Sequence, residues 1–350
     1  MKFEPNKLQA SLLHWYDAGG RQLPWRVRPE QRASGVRPDP YRVWLSEIMC
    51  QQTRIQTVIP YFETFTKRWP NIDALANASR EQIYQAWAGL GYYARARNLH
   101  ACAGEIVANG QFPTTEANWL ALPGIGPYTA AAVMAILHDA PTNVVDGNVE
   151  RVIARLFAVP TPLPAAKPEL RRLAGSLASP HRAGDYAQAL MDLGALVCTP
   201  KSPNCPACPW ANACQALAQH NPVGFPVRRP KPPRPERFGI AFVLQDSQRV
   251  LLRKRPETGL LGGMSEVPGS TWLPDPWSLA DALTFAPCVG PWREAGQVRH
   301  VFTHFALNLR AMTLPAPAKF TPVEGWWAKR DELEQQALSS LMRKVLAVCL

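Results

Sequence analysis

The chain has 350 residues, 47% of them hydrophobic and 19% charged, which suffices for about two domains with cores of their own and excludes an intrinsically disordered protein. A formal net charge of +11 and 12 tryptophans suggest a polyanionic partner whose bases offer faces for stacking. No apolar run approaches the length that crosses a bilayer, and the opening Met1-Lys2-Phe3-Glu4-Pro5 lacks both an apolar core segment and a small-residue cleavage site. A cytoplasmic protein with no membrane partner is expected.

Apolar residues recur at helical spacing in Leu8 to Tyr16, Val43 to Phe65, Ile83 to Trp87, Ala94 to Val107, Ala130 to Leu137, Val149 to Phe157 and Tyr186 to Val197. Within the second stretch Glu47 stands between Trp44-Leu45 and Ile48-Met49. A partly buried carboxyl there would hold its proton, although a lone helical glutamate is more often a solvated charge. Leu122-Pro123-Gly124-Ile125-Gly126-Pro127-Tyr128-Thr129 falls between two helical patterns. Gly124 and Gly126 permit a tight hairpin whose backbone N–H groups meet an anion at a helix start. In a basic protein that anion is a DNA phosphate, contacted without reading sequence; the alternative is an ordinary helix-to-helix turn. Downstream, Asp146 in Val145-Asp146-Gly147-Asn148 suits the N-cap of a helix beginning near Asn148.

The spacing Cys198-x6-Cys205-x2-Cys208-x5-Cys214, stiffened by Pro200, Pro203, Pro206 and Pro209, lets one short segment surround a soft metal centre. A [4Fe–4S] cluster is the reading taken, with tetrahedral zinc the nearest competitor and two disulfides a third choice that needs an oxidising compartment. Cys50, Cys102, Cys288 and Cys349 stand singly, as buried thiols do. From Asn221 to Arg237 the run NPVGFPVRRPKPPRPER reads as an extended linker. It separates a helical domain, 1–220, from a domain at 238–350, where the β-rich runs Gly239 to Leu244, Val250 to Arg253 and Val301 to Met312 imply a small mixed sheet with few helices.

The hairpin, the downstream aspartate and the cysteine array together resemble the helix-hairpin-helix base-excision glycosylases. Trp44-Leu45-Ser46-Glu47-Ile48-Met49-Cys50-Gln51-Gln52-Thr53, Gly89 to Asn98 and Met191-Asp192-Leu193-Gly194-Ala195 narrow the resemblance to one branch, the MutY-type adenine DNA glycosylases. The second half is similar to a Nudix fold in Val250 to Pro256 and Gly262 to Gly269. The fold class expected is therefore α + α/β: an all-helical glycosylase core with a [4Fe–4S] loop, then a small mixed α/β Nudix-like domain.

The resemblance implies a monomeric enzyme of base excision repair acting on duplex DNA that holds adenine opposite 8-oxoguanine or guanine. Releasing adenine needs an acid to protonate the base and a carboxylate to stabilise an oxocarbenium-like sugar, roles that fall to Glu47 and Asp146. Lyase-competent relatives carry a Schiff-base lysine where this chain has Tyr128, and no lysine occurs between Lys67 and Lys167. A monofunctional hydrolase follows, with Tyr128 near the sugar. Gln52 and Tyr92 are candidates for the wedge and clamp that base extrusion requires, with Gln51, Thr53 and Leu90 nearby. Trp25, Arg26 and Gln188 match positions around the flipped adenine. Phe302-Thr303-His304 resembles the loop that reads the oxidised guanine. From Ser270 to Gly290 the only acidic residues are Asp275 and Asp281, too few to hold magnesium against a pyrophosphate, so binding is the expected use of this domain. Two rival readings are a bifunctional glycosylase/lyase acting on oxidised bases and a DNA-binding protein without catalysis.

Overall fold

The computed structural model describes residues 4–230 and 232–350; Met1 to Phe3 of the opening segment and Lys231 of the linker lie outside the described residues. The chain forms two compact units, one of Met1–Asn77 with Asn98–Pro230, the other of Ala78–Arg97 with Lys231–Leu350. The second unit thus takes in a helical segment that the sequence-based division assigned to residues 1–220. Among the described residues, no helix is long and apolar enough to cross a membrane.

The first unit is built on the helix Pro127–His138, whose run Ala130 to Ile136 is buried on every face, as expected of a helix at the centre of a bundle. Its alanines let neighbours approach closely: a Cβ at Gly184 would lie 2.6 Å from the Ala135 carbonyl oxygen. Helices Pro40–Cys50 and Ala183–Asp192 pack against it, and Gly147–Leu156 packs against the last of these. These four helices carry Glu47, Tyr128, Asn148 and Gln188 of the site described below, with Asp146 capping one of them.

Asp39 caps Pro40–Cys50 by accepting from Arg42 N at 3.1 Å. The expected stretch Val43 to Phe65 is not one helix: the first ends at Cys50 and the next runs Ile55–Arg68, with Gln52 between them at φ 55°. No glycine or proline marks that break, so apolar spacing alone runs straight through it. Likewise Tyr186 to Val197 ends its α-helix at Asp192 and continues as a π-helical turn, Leu193–Val197. The hairpin forms as expected. Gly124 has φ 76° and a Cβ there would sit 2.7 Å from Asn98 Cβ, so both conformation and space require glycine. Gly126 is the N-cap and Pro127 the first residue of the buried helix. The proline-rich segment after Asn221 begins docked on this unit: Phe225 O accepts from Arg155 Nε at 3.0 Å and Val227 O from Leu163 N at 2.9 Å. An extended strand of carbonyls is a ready acceptor for such donors.

The second unit holds a mixed sheet of β1 (Glu236–Gln245), β2 (Arg249–Lys254), β3 (Ser265–Glu266), β4 (Arg293–Val301), β5 (Ala306–Pro315) and β6 (Trp326–Lys329). Its order is β3-β2-β1-β5-β4, with β6 paired to β2. Only β1 and β5 are parallel. Residues of β1 alternate between two cores, Ala241 and Val243 toward the helix Ser340–Cys349, and Ile240, Phe242 and Leu244 toward Trp292 and Ala282, the period of two that a sheet covered on both faces requires. Val301 to Met312 is not a single strand. It turns at 302–305, where Phe302 N donates to Phe305 O at 2.9 Å, and returns as β5.

Candidate active site

One cavity of about 570 Å³ in the first unit gathers residues that are remote in sequence: Trp25, Arg26, Glu47, Gln52, Thr53, Tyr128, Asp146, Asn148 and Gln188 all line it. Four of them come from four different elements, Glu47 from Pro40–Cys50, Tyr128 from the first turn of Pro127–His138, Asp146 from the cap of Gly147–Leu156 and Gln188 from Ala183–Asp192, while Trp25, Arg26, Gln52 and Thr53 come from loops.

Glu47 is 8% exposed. Burial pushes its carboxyl up to about 7, against the pull of the Tyr128 hydroxyl and the Arg26 charge, with Asp146 adding to the rise. Tyr128 lies with its hydroxyl 3.2 Å from Met191 Sδ, a weak acceptor beside a carboxylate. Burial and the Glu47 and Asp146 carboxylates drive its phenol well above the ordinary value, so it remains an O–H donor. Asp146 is also raised by burial, but hydrogen bonds and a charge hold it back: Val149 N donates to Oδ1 at 2.7 Å and Asn148 Nδ2 to Oδ2 at 2.9 Å, the Asn148 backbone adds a further bond, and the Arg151 charge faces it. The N-cap expected of Asp146 is present, and its carboxylate still borders the cavity. The two carboxyls therefore sit in one chamber, both raised by burial, with Asp146 the one that accepts hydrogen bonds from Val149 N and Asn148 Nδ2.

Trp25 meets the Phe62 ring edge-on at 5.0 Å, and Gln188, 3% exposed, donates to Gly184 O at 3.1 Å. Arg26 makes a two-pronged bond to Asp192, Nη1 to Oδ2 and Nη2 to Oδ1, each 2.9 Å. Gln51 points elsewhere, to Thr129 Oγ1 at 3.1 Å. Sequence reasoning did not single out Arg21 or Asp192. Arg21 lines the cavity, and Asp192, quoted only as part of a motif, is its fully buried counter-charge.

The remaining expected residues lie outside this cavity. Gly124 and Gly126 form the hairpin. Leu90 and Tyr92 belong to the second unit, in a loop bound to itself: Trp87 Nε1 donates to Gly91 O at 3.0 Å, and Arg95 Nη2 to Leu90 O at 3.1 Å. Tyr92 is 49% exposed at φ 48°, and it shares with Gln52 a backbone region that a residue with a Cβ rarely enters. Strain of this kind collects at functional positions. Thr303 and His304 are exposed on the β4–β5 turn, while Phe302 packs on Trp272 at 5.7 Å. In the same unit Glu266 pairs with Arg253 and Arg255.

The four cysteines of the array are free thiols that line a second cavity together with Arg155, Val197 and Leu217. Among the described residues no three His, Cys, Asp or Glu side chains are placed to hold a single ion. Arg155, 2% exposed, donates to Cys198 Sγ at 3.2 Å, to Thr199 O at 2.7 Å and to Pro200 O at 2.9 Å. One turn earlier Arg151 joins Cys198 O at 2.7 Å to Asn148 Oδ1 at 3.0 Å, so the helix Gly147–Leu156 serves both cavities.

A family model described as HhH-GPD superfamily base excision DNA repair protein matches residues 45–177, and a NUDIX domain model matches residues 240–348. The chain is 35% identical over 407 residues to an adenine DNA glycosylase of Homo sapiens, covering 99% of this chain and 74% of the relative. It is 28% identical to that of Schizosaccharomyces pombe, covering 97% and 88%. Among solved structures, a thermostable thymine-DNA glycosylase superposes with a TM-score of 0.53 at 25% identity, over 61% of this chain and 97% of that one. An endonuclease III–DNA complex shares the fold, with a TM-score of 0.50 at 18% identity over 63% and 99%.

Proposed function

The chain belongs to the adenine DNA glycosylase family, and from that premise we propose that it removes adenine opposite 8-oxoguanine or guanine in duplex DNA, as a monofunctional hydrolase. The observation that carries this reading is the meeting of Glu47 and Asp146 in one cavity, whose volume is within the range of ligand sites.

With adenine extruded into that cavity, protonated Glu47 donates to a ring nitrogen of the base. The bond between C1′ and N9 then breaks with its electron pair leaving on adenine, and the Asp146 carboxylate stabilises the cationic sugar. Water adds at C1′ and its proton passes to a carboxylate, which leaves an abasic site with the strand intact. Tyr128 hydrogen-bonds at the sugar side and offers no amine for a Schiff base. Trp25, Arg26 and Gln188 hold the purine. Gln52, with Gln51 and Thr53 near it in the chain, and Tyr92, two residues from Leu90, are each strained and take the wedge and clamp roles, and Gly124 and Gly126 present backbone N–H groups to a phosphate. Phe302, Thr303 and His304 read the oxidised guanine. Glu266 is already committed to two arginines, which supports a binding rather than a pyrophosphate-cleaving use of the Nudix-type unit.

The donor set of the second cavity, four thiols with an arginine on one sulfur, fits a [4Fe–4S] cluster held by Cys198, Cys205, Cys208 and Cys214. When bound, the cluster would supply a covalent cross-link of the loop that Arg151 and Arg155 grip from the other side.

A duplex with adenine opposite 8-oxoguanine tests the reading. Adenine release, with strand cleavage only after alkali, is expected. Cleavage without alkali would favour the lyase, and binding without release would leave a DNA-binding protein.

A further inference from the structure

Asp192 is fully buried at the end of Ala183–Asp192, yet its donors come from one distant segment. Arg21 N reaches Oδ2 at 2.8 Å and Arg21 Nε reaches Oδ1 at 2.7 Å. Arg21 Nη2 lies 2.6 Å from Oδ1 as well, and the two Arg26 nitrogens reach the carboxylate at 2.9 Å each. Both arginines line the catalytic cavity. We propose that Asp192 is a positioning residue, which locks Arg26 and Arg21 in the cavity wall and so governs the charge that Glu47 meets there.

A buried carboxylate is costly unless it is paired. Burial would raise Asp192, but Arg26 and Arg21 draw it below the ordinary carboxylate range, so it stays ionised under all working conditions. The two-pronged geometry holds the Arg26 guanidinium in one orientation in the cavity wall. Arg26 acts on Glu47 as a nearby positive charge, and Asp192 offsets part of that charge. Removing Asp192 leaves Arg26 unmatched and favours the Glu47 carboxylate; removing Arg26 has the opposite effect. The other groups facing Glu47 are Tyr128 and Asp146, and Tyr16 stands by the Arg26–Asp192 pair. None of these changes in either substitution.

The inference rests on Glu47 being the acid, so Glu47→Gln accompanies the test. Single-turnover adenine release is followed from pH 5 to 9 for the wild type, Asp192→Asn and Arg26→Gln on the adenine:8-oxoguanine duplex. Asp192→Asn is expected to be about ten- to a hundredfold slower at pH 7, with the alkaline limb of its profile moved to lower pH. Arg26→Gln is also slower, with that limb moved to higher pH. A purely structural role predicts loss without displacement, and unmoved limbs, or limbs moved the same way, overturn the proposal. Should Asp192→Asn fail to fold, the Arg26→Gln limb decides alone, and one that stays or falls refutes it. If Glu47→Gln releases adenine as the wild type does, the assignment of Glu47 fails and the proposal fails with it; if that variant is inactive and the limbs do not move, the fault lies with Asp192 alone.

Discussion

Glu47→Gln preserves the shape of the side chain and removes its charge, and the structure predicts two opposite effects. A carboxyl at its ordinary 4.5 would be about 0.3% protonated at pH 7, whereas one raised to about 7 is roughly half protonated, a gain of ~150-fold in the acid form. Glutamine has no proton to give, so adenine release should fall by about 10²- to 10⁴-fold, with DNA affinity retained. Stability should move the other way. The folded carboxyl titrates above the unfolded one, so the folded state holds the extra proton between pH 4.5 and about 7, and wild-type stability declines as pH rises through that window. Above it the buried carboxylate costs on the order of 3 kcal/mol, which glutamine avoids. Thermal unfolding should therefore place the inactive variant a few degrees above the wild type at pH 8, with the gap closing toward pH 4. A gap that does not depend on pH, or release within tenfold of the wild type, would refute the reasoning.

Asp146→Asn should keep the helix cap, because asparagine also accepts from Val149 N, while adenine release drops by about 10²-fold or more; unchanged helicity with lost turnover checks this. Arg155→Met should leave the Thr199, Pro200 and Phe225 carbonyls without their donor, lowering the melting temperature by several degrees at a cost of about 3 kcal/mol and reducing the visible absorbance expected of the proposed cluster. His304→Ala should weaken preference for 8-oxoguanine over guanine opposite adenine, and equal losses on the two duplexes would remove the β4–β5 turn from lesion reading.

What could be read in the sequence was local. The glycine hairpin, the aspartate cap and the cysteine array each depend on neighbours a few residues apart; the hairpin and the cap form, and the four cysteines line one cavity. The breaks at Gln52 and in the β4–β5 turn escaped because neither glycine nor proline marks them. The pairing of Arg21 and Arg26 with Asp192 spans more than a hundred residues, and no periodicity encodes such a contact. The same holds for Ala78–Arg97, whose helical pattern is real but whose partners are near the other end of the chain: Arg80 pairs with Glu257 at 2.7 Å and Glu81 with Lys254 at 3.2 Å. Composition reveals that a segment is a helix; only the fold reveals which core it serves.

The most direct measurement is the pH dependence of single-turnover adenine release by the wild-type protein. If Glu47 delivers the proton, the rate should hold to about pH 7 and then fall tenfold for each further pH unit. A rate that stays level to pH 9 would show that the proton comes from elsewhere.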